Sequence, residues 1–482
     1  MPAGERPGLV QVRPGPKQRS PLAYDVIIIG AGMSGLAAGI RLAYFDKKVC
    51  IVEKHHQIGG LNSFYRLDGR RFDVGLHALT NFVPKGVKNT PLPKLLRQLR
   101  IPRDELDLHE QNVSQIRFPH ARLRFSNDIA LLTGDIADLF PRQVDGFRRL
   151  VNDLRTYDDI HHTAEPRSTR KVLTDYIRDP TLVDMLLCPV MYYGSAEEND
   201  MDFARFSIIF RSIFCEGLAR PRLGVRRIIR SLVRRYRACG GDLRMRCGVI
   251  RLNIERERVA GVALESGEAI EAPIVLSSAG YFETMGLCSD SSAHPEPDRP
   301  GRLSFMESIN ILDTKPAELG HDTTIMFFND AASFAYERSR GLIDDRSGVI
   351  CCPNNFEGHK DMSEGIIRFT SLANYDRWTA LPQDEYAAAK KQCHAQVVER
   401  ALRFLPDFRD RVVYTDVFTP RTVKQYTGRL GGAVYGATRK RWDGRTRLKN
   451  LFICGTDQGY LGIIGALLSG ITMANLHVLS DE

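Results

Sequence analysis

Three glycines early in the sequence have the spacing of a dinucleotide-binding turn: Gly30, Gly32 and Gly35. In such a turn the first glycine permits the tight bend, and the second lets the backbone approach a pyrophosphate. The third lets a helix pack closely on the strand before it. Glu53 ends the next apolar run, where its carboxylate can accept hydrogen bonds from both hydroxyls of a ribose. These four residues predict that the chain binds a dinucleotide.

The residues around the glycines predict the elements that hold them in place. Residues 25–29 indicate a buried strand, residues 36–43 a helix, and residues 49–53 a second strand. The N-terminus of such a helix offers free N–H groups and a partial positive charge to phosphates. We therefore expect Met33 and Ser34, just before the helix, to contact the cofactor too.

Two further segments indicate that the dinucleotide is FAD. A Gly-Gly pair soon after the acidic residue is typical of FAD-binding proteins of the two-dinucleotide-domain type, because the backbone there passes the phosphate and ribityl groups. Residues 450–470 repeat the order of strand, glycine-rich turn and helix, and the N-terminus of that helix would face the flavin. The FAD contacts predicted from these segments are Lys54, Gly59, Gly60, Leu61, Asn62, Gly455, Asp457, Gly462, Ile463 and Ile464.

These motifs resemble the phytoene desaturase, carotenoid isomerase and retinol saturase branch of the flavin amine oxidase superfamily. Matching pieces cover residues 24–80, 220–285 and 415–475. The resemblance implies an α/β fold, with a glutathione-reductase-like Rossmann FAD-binding domain and an inserted substrate domain of antiparallel sheet plus helices. It also implies that Val249 lies beside the adenine. Leu61 departs from the pattern, because many members have an arginine after the Gly-Gly pair.

The resemblance also gives domain boundaries. The FAD-binding domain is expected to be discontinuous and to comprise residues 23–85, 218–290 and 415–482. The two segments between these, residues 86–217 and 291–414, would form the substrate domain and face the membrane.

Candidate catalytic residues follow from the chemistry of a flavin, which accepts hydride at N5 while the protein supplies orientation and electrostatics. His77 ends an Asp-x-Gly-x-His turn that runs close to the flavin in the family, and we expect it to donate a proton to a substrate carbon. The alternative is a histidine that is hydrogen-bonded to the backbone. Tyr435 and Tyr460 belong to segments expected near the ring, where either would stack on substrate or cofactor.

The composition is that of a globular protein, with 43% hydrophobic and 26% charged residues in 482. We expect no membrane span, because no run of about 18 or more uncharged residues is apolar enough. Ten cysteines without a CxxC or Cys/His spacing predict thiols in a reducing cytoplasm and no metal site. Residues 1–22, which lack an apolar core, are expected to be a disordered tail.

Two segments bear on membrane contact. Residues 222–237 predict an amphipathic helix whose basic face is either solvated or attracted to anionic lipids. Nucleic acid is not expected, because no nucleic-acid-binding motif accompanies the charge. Residues 203–214 carry four phenylalanines, which either pack in the core or insert into a bilayer surface. We expect a cytoplasmic protein that associates peripherally with the membrane, and the sequence leaves its oligomeric state open.

The leading hypothesis is an FAD-dependent oxidoreductase that desaturates, saturates or isomerises an apolar polyene or isoprenoid, such as a carotenoid or retinoid. The apolar residues at 203–214 favour a hydrocarbon substrate. One alternative is a flavin oxidase of an amine or a porphyrinogen on the same scaffold. Lysine or carboxylate side chains around the flavin would favour that alternative. Another alternative is a flavoprotein scaffold without turnover.

Overall fold

The computed structural model describes residues 24–75, 77–157, 165–288 and 298–480, so the predicted tail at 1–22 lies outside it. The strands are β1 (Val26–Ile29), β2 (Val49–Glu53), β3 (Phe64–Leu67), β4 (Arg70–Asp73), β5 (Leu108–Glu110), β6 (Ser114–Phe118), β7 (Ala121–Phe125), β8 (Ala219–Pro221), β9 (Asp242–Met245), β10 (Val249–Glu255), β11 (Arg258–Leu264), β12 (Ala269–Glu271), β13 (Ile274–Ser277), β14 (Ser304–Leu312), β15 (Ile325–Asn329), β16 (Ser347–Cys351), β17 (Gly365–Ala373), β18 (Val412–Phe418) and β19 (Leu451–Ile453). The helices are α1 (Met33–Ala43), α2 (Pro91–Gln98), α3 (Ile129–Leu139), α4 (Val144–Thr156), α5 (Thr169–Thr174), α6 (Pro180–Gly194), α7 (Phe203–Phe210), α8 (Val225–Ala238), α9 (Tyr281–Met285), α10 (Tyr375–Ala380), α11 (Gln383–Ala401), α12 (Pro420–Thr427) and α13 (Gly462–Ala474).

The first sheet has five parallel strands in the order β19-β13-β1-β2-β9. Side chains of β1 alternate between its two faces. Val26 and Ile28 pack with helices α1, α8 and α13. Ile27 and Ile29 pack against the antiparallel sheet β10-β11-β12. A parallel sheet covered on both faces is the Rossmann arrangement, and the predicted fold class is confirmed.

The second large sheet has seven strands in the order β18-β14-β17-β16-β15-β6-β7. Every pair is antiparallel except β6 and β15. Helices α3 to α7 cover one face, and helix α11 packs on the other. This is the inserted antiparallel sheet with helices that the sequence predicts. The predicted boundary at residue 415 falls inside β18, and the domain limits themselves remain our proposal.

The phenylalanine-rich segment lies in the core of this second unit. Phe203, Phe206, Phe210 and Phe214 are all buried, and the rings of Phe206 and Phe210 have centroids 5.5 Å apart. The core-packing alternative is therefore confirmed for residues 203–214, and insertion of these rings into a bilayer is wrong.

One helical run among the described residues, Gly462–Leu479, is long and apolar enough to cross a membrane, with a mean hydropathy of 1.6. The expectation that the sequence holds no such run was wrong. Helix α13 forms most of this run, and its residues Ile464, Leu467 and Ile471 are buried in the cluster that also contains α1. Packing inside the protein therefore accounts for the apolar composition of α13.

Candidate active site

A cavity of about 580 Å³ connects the parallel sheet to the seven-stranded sheet. At one end its lining includes Gly32, Glu53 and Val249, and at the other end it includes Phe305 and Thr370 of the seven-stranded sheet. The predicted nucleotide site and the substrate domain thus share one continuous space.

The glycine turn before α1 requires the absence of side chains. Gly30 has a φ of +95°, which strongly favours glycine. A Cβ on Gly35 would lie 2.1 Å from the carbonyl oxygen of Gly30, so the turn and the helix could not approach as they do. Helix α1 begins after Gly32 with no capping side chain from the described part of the chain. Its first-turn N–H groups are therefore available to phosphate oxygens.

Glu53 is held in place by backbone groups at the end of β2. Its Oε2 accepts a hydrogen bond from the Ala31 N–H at 2.8 Å, and its Oε1 accepts one from the His55 N–H at 2.9 Å. The carboxylate is buried and lies beside the glycine turn at the wall of the cavity. This is the position that recognition of a ribose requires.

The Gly-Gly pair passes directly beside the first glycine turn. Gly59 and Gly60 have φ angles of +114° and +58°, and the Gly59 N–H donates to the Ala31 carbonyl at 3.1 Å. A Cβ on Gly59 would lie 2.8 Å from Cδ1 of Ile229. The pair therefore keeps the backbone close to the turn, and the following Leu61 and Asn62 line the cavity.

Helix α13 brings a second helix N-terminus to the same cavity. It follows Leu461 with no side-chain cap from any described residue, and Gly462 and Ile463 line the cavity. A Cβ on Gly470 would lie 2.0 Å from the carbonyl oxygen of Ser34. Helices α13 and α1 are thus in direct backbone contact, and this contact places both N-termini at one site.

Most of the predicted site residues line the cavity, and four do not. Those that line it are Gly30, Gly32, Met33, Ser34, Glu53, Lys54, Gly59, Gly60, Leu61, Asn62, His77, Val249, Tyr435, Gly455, Gly462 and Ile463. Gly35 lies behind the turn, Ile464 packs in the apolar cluster of α1, and Tyr460 packs edge-on against Trp442. Tyr460 is thus not placed to stack on a ligand in this cavity.

Asp457, the fourth, supports the cavity wall from behind. Its Oδ2 accepts from the Tyr281 N–H at 2.7 Å and from the Arg429 guanidinium at 3.1 Å, and its Oδ1 accepts from the Ala437 N–H at 2.9 Å. Burial raises the pKa of Asp457, but the charges of Arg429 and Lys440 outweigh burial and lower the pKa overall. The carboxylate therefore stays ionised and joins three segments of the wall.

His77 belongs to a buried hydrogen-bonded network at the other end of the cavity. His77 Nε2 lies 2.8 Å from Thr370 Oγ1, and the Thr370 hydroxyl donates to Glu307 Oε2 at 2.5 Å. The Arg368 guanidinium donates to Glu307 Oε1 at 2.7 Å and to the Val74 carbonyl at 2.8 Å. Strands β14 and β17 thus fix the His77 ring and its turn.

A second buried ion pair holds the backbone of the same turn. Arg220 donates to Asp73 Oδ2 at 2.5 Å and to the carbonyl oxygen of His77 at 2.9 Å. The other oxygen of Asp73 lies 3.3 Å from the Val225 N–H, at the start of α8. The turn is therefore fixed at both ends by buried arginines.

His77 is a neutral imidazole in this setting. Burial lowers the pKa of His77 well below its ordinary value, and the charges of Arg368 and Arg220 lower the pKa further. A neutral ring is a poor proton donor, so the lowered pKa does not favour the proton-donating role expected for His77. The ring is bonded to a threonine side chain and not to the backbone, so it differs from the structural alternative as well.

Aromatic side chains form the cavity wall near His77. Tyr192, Tyr193, Phe305 and Tyr435 all line it, and the Tyr435 hydroxyl donates to the Tyr192 carbonyl. The Tyr193 hydroxyl is buried and has no partner among the described residues. Burial raises the pKa of Tyr193 well above its ordinary value, so this hydroxyl keeps its proton. The Tyr193 hydroxyl is thus an unpaired polar group on a largely aromatic part of the wall.

Four members of the His77 network were not predicted from the sequence: Arg220, Glu307, Arg368 and Thr370. A signal was present for two of them, because Glu307 and Arg368 are charged residues within largely apolar runs that form buried strands. Charged side chains are rarely fully buried unless they are paired. Two such residues in neighbouring predicted strands therefore indicate a buried ion pair.

These observations define a flavoprotein of the two-dinucleotide-domain type. Two uncapped helix N-termini, a glycine cradle that a Cβ would fill, and a buried ribose-facing carboxylate fit FAD. The profile of the family Flavin containing amine oxidoreductase matches residues 33–476. The chain belongs to that family, and its cofactor is FAD.

Known relatives agree with this assignment. Prolycopene isomerase 2 of an Oncidium hybrid cultivar is 22% identical in an alignment 504 residues long, and this alignment covers 94% of this chain and 83% of that protein. All-trans-retinol 13,14-reductase of Danio rerio is 24% identical over 95% of this chain and 88% of its own length. The crystal structure of an oxidoreductase from Methanosarcina mazei matches with a TM-score of 0.66 at 15% identity, over 94% of this chain and 99% of that one. The resemblance to the carotenoid and retinol branch is confirmed.

Proposed function

We propose that this protein is an FAD-dependent oxidoreductase of an apolar polyene or isoprenoid of the carotenoid or retinoid kind. The observation that supports this most strongly is the cavity wall formed by Tyr192, Phe305, Val349 and Tyr435, which suits a hydrocarbon chain. Two relatives named for prolycopene and retinol support the same substrate class. Desaturation, saturation and isomerisation all remain within the proposal.

The chain's own residues bind the cofactor, orient the substrate and exclude water. Bound FAD supplies hydride-level redox chemistry. The N-termini of α1 and α13 and the carboxylate of Glu53 would hold it, and Val249 would lie beside its adenine. The aromatic wall excludes water and aligns an extended apolar substrate, which supplies orientation in place of strong acid–base groups. His77, Tyr435 and Tyr193 are the side chains we propose at the substrate end.

An amine oxidase on the same scaffold is the alternative. Glu307 is the only carboxylate among the described residues that line the aromatic end of the cavity, and it is already paired with Arg368 at 2.6 Å. A paired carboxylate has little charge left to attract an ammonium group. The geometry therefore favours a neutral apolar substrate over an amine.

The test is to mix the FAD-loaded protein, without oxygen and with its flavin either reduced or oxidised, with liposomes that each contain a single polyene or isoprenoid. We expect a change in flavin absorbance with at least one carotenoid or retinoid and none with putrescine or other amines. Phe305→Ala should raise the KM for that lipid about tenfold or more, because a buried aromatic ring contributes about 1.5–3 kcal/mol of apolar contact. Phe404→Ala, which removes a ring on the opposite side of the seven-stranded sheet, is the matched control. Turnover of amines without any response to lipids would refute the proposal.

We also propose that the protein is cytoplasmic and associates with the surface of an anionic membrane. Helix α8 buries Val225, Ile229 and Leu232 and exposes Arg230 and Arg237. Such cations contribute about 1 kcal/mol each near an anionic bilayer. The exposed side chains Lys94 and Arg97 of α2 add to this charge, because α2 packs in the same apolar cluster as α8.

Co-sedimentation with phosphatidylserine vesicles tests the membrane proposal. Arg230→Glu/Arg237→Glu should weaken binding about tenfold or more at low salt, because each reversal replaces attraction by repulsion. Arg251→Glu/Arg258→Glu makes the same charge change at exposed positions of the β10–β11 hairpin and should bind like the wild type. Equal binding by all three proteins would exclude α8 as the contact surface.

A further inference from the structure

The hydrogen-bond directions around His77 define which of its ring nitrogens carries the proton. A threonine hydroxyl has a single hydrogen. Thr370 directs that hydrogen to Glu307 Oε2 at 2.5 Å. Thr370 Oγ1 must then accept from His77 Nε2, which lies 2.8 Å away. The ring is neutral, so with the proton on Nε2 its Nδ1 carries a lone pair.

The carboxylate of Glu307 is kept in its accepting form by Arg368. The guanidinium contacts Glu307 Oε1 through two nitrogens, at 2.7 and 2.6 Å, and both residues are buried. Burial raises the pKa of Glu307 above its ordinary value, and the Arg368 charge together with the hydrogen bonds from Thr370 and Arg368 limits this rise. Since Oε1 is occupied by Arg368, Oε2 is the atom left to receive the threonine hydrogen.

Nδ1 of His77 is a buried acceptor without a partner among the described residues. An unsatisfied buried acceptor costs about 1–3 kcal/mol, so a group that supplies a hydrogen bond there would be bound favourably. The His77 side chain is 15% exposed, and it lines the cavity. The ring thus borders the cavity, where a ligand is one source of that hydrogen.

We infer that Glu307 and Thr370 are positioning residues that hold His77 as the neutral Nε2–H tautomer, so that Nδ1 accepts a hydrogen from a ligand in the cavity. The inference rests on the proposed function only for the identity of that ligand. The role it gives His77 is the reverse of proton donation. A ligand group that meets Nδ1 has to bring its own hydrogen, as a hydroxyl does.

The hydrogen bonds that lead from Glu307 through Thr370 to His77 predict a specific result for Glu307→Gln. Arg368 has only donors, so it would hold the amide oxygen of the new side chain and turn the amide nitrogen towards Thr370. The amide N–H would then donate to Thr370 Oγ1, and the threonine would send its hydrogen to His77 Nε2. That nitrogen must be unprotonated to accept it. The substitution should therefore move the ring proton from Nε2 to Nδ1.

Nitrogen-15 NMR of the FAD-loaded protein with labelled histidine reads the tautomer directly, with the His77 signals assigned by their loss in His77→Gln. We expect Nε2–H at pH 7 in the wild type and in Thr370→Ser, which keeps the hydroxyl, and Nδ1–H in Glu307→Gln. Thr370→Val, which has no hydroxyl, should give a mixture of tautomers. Nδ1–H or an imidazolium in the wild type, or an unchanged Nε2–H in Glu307→Gln, would overturn the inference.

The two proposals fail separately. A protein that shows the expected tautomers but acts on no polyene refutes the proposed function and supports this inference. A protein that converts a polyene while His77 carries its proton on Nδ1 refutes this inference alone.

Discussion

The contact between α1 and α13 at Gly470 should control both folding and FAD binding. A Cβ at position 470 would lie 2.0 Å from the carbonyl oxygen of Ser34 and 3.0 Å from the Ala38 nitrogen. Both atoms belong to the backbone of α1, so no side chain can rotate away to make room. Gly470→Ala should therefore push the two helices apart.

The size of the effect follows from that distance. Real Cβ contacts essentially never fall below 3.0 Å, so the helices have to separate by about 1 Å. Overpacking of this kind costs about 1–3 kcal/mol. The separation also moves one of the two helix N-termini that face the cavity. We therefore expect FAD to bind about tenfold or more weakly, in addition to the loss of stability.

The assay compares urea unfolding of the apoprotein with fluorescence titration of FAD. Gly134→Ala is the matched control, because Gly134 lies exposed within α3 and a Cβ there would meet nothing within 4 Å. That substitution should stabilise the protein by about 0.5–1 kcal/mol, because alanine is the better helix former. FAD affinity should stay unchanged in the control. If Gly470→Ala has the same free energy of unfolding and the same FAD affinity as the wild type, neither stability nor FAD binding depends on close backbone contact between the two helices.

Three other substitutions test the ribose site, a buried lysine and the core of the second unit. Glu53→Gln should weaken FAD binding by about 10- to 100-fold in the same titration, because a hydrogen bond to a charged group contributes about 1.5–3 kcal/mol. Unchanged affinity would show that Glu53 does not bind the ribose. Burial lowers the pKa of Lys440 to about 7, so between pH 7 and about 10 the unfolded chain binds a proton that the folded chain does not. The free energy of unfolding should rise with pH over that window and rise less in Lys440→Met, as measured by urea unfolding at several pH values. Phe210→Ala should lower the free energy of unfolding by about 3–5 kcal/mol without changing vesicle binding. Reduced vesicle binding by a folded variant would show that this ring contacts the membrane.

The nucleotide end of the site could be predicted from sequence, because glycine and acidic residues at fixed spacing act through the backbone. Gly30, Gly32 and Glu53 lie where local spacing puts them, and the parallel strands around them follow from their apolar sequences. The segment at 455–463 also reaches the same cavity, and its repeat of strand, turn and helix made this predictable.

The substrate end could not be predicted in the same way. The partners of His77 come from β14 and β17, more than 200 residues away in the chain, and no local spacing relates them to it. Tyr460 shows the opposite error, since closeness in sequence to a cavity-lining glycine did not place its ring in the cavity. The four phenylalanines at 203–214 show that an apolar face alone does not reveal whether lipid or protein covers it.

The order of strands in the parallel sheet affects how the protein is made. Strand β1 lies at the centre of the sheet, but β19, which completes the edge beside β13, is synthesised more than 400 residues later. At about 5–20 residues per second, the ribosome needs tens of seconds to cover that interval. During this time the first glycine turn lacks α13, its partner helix, and the part of α1 that α13 contacts stays uncovered. The cofactor site is therefore complete only when nearly the whole chain has been synthesised.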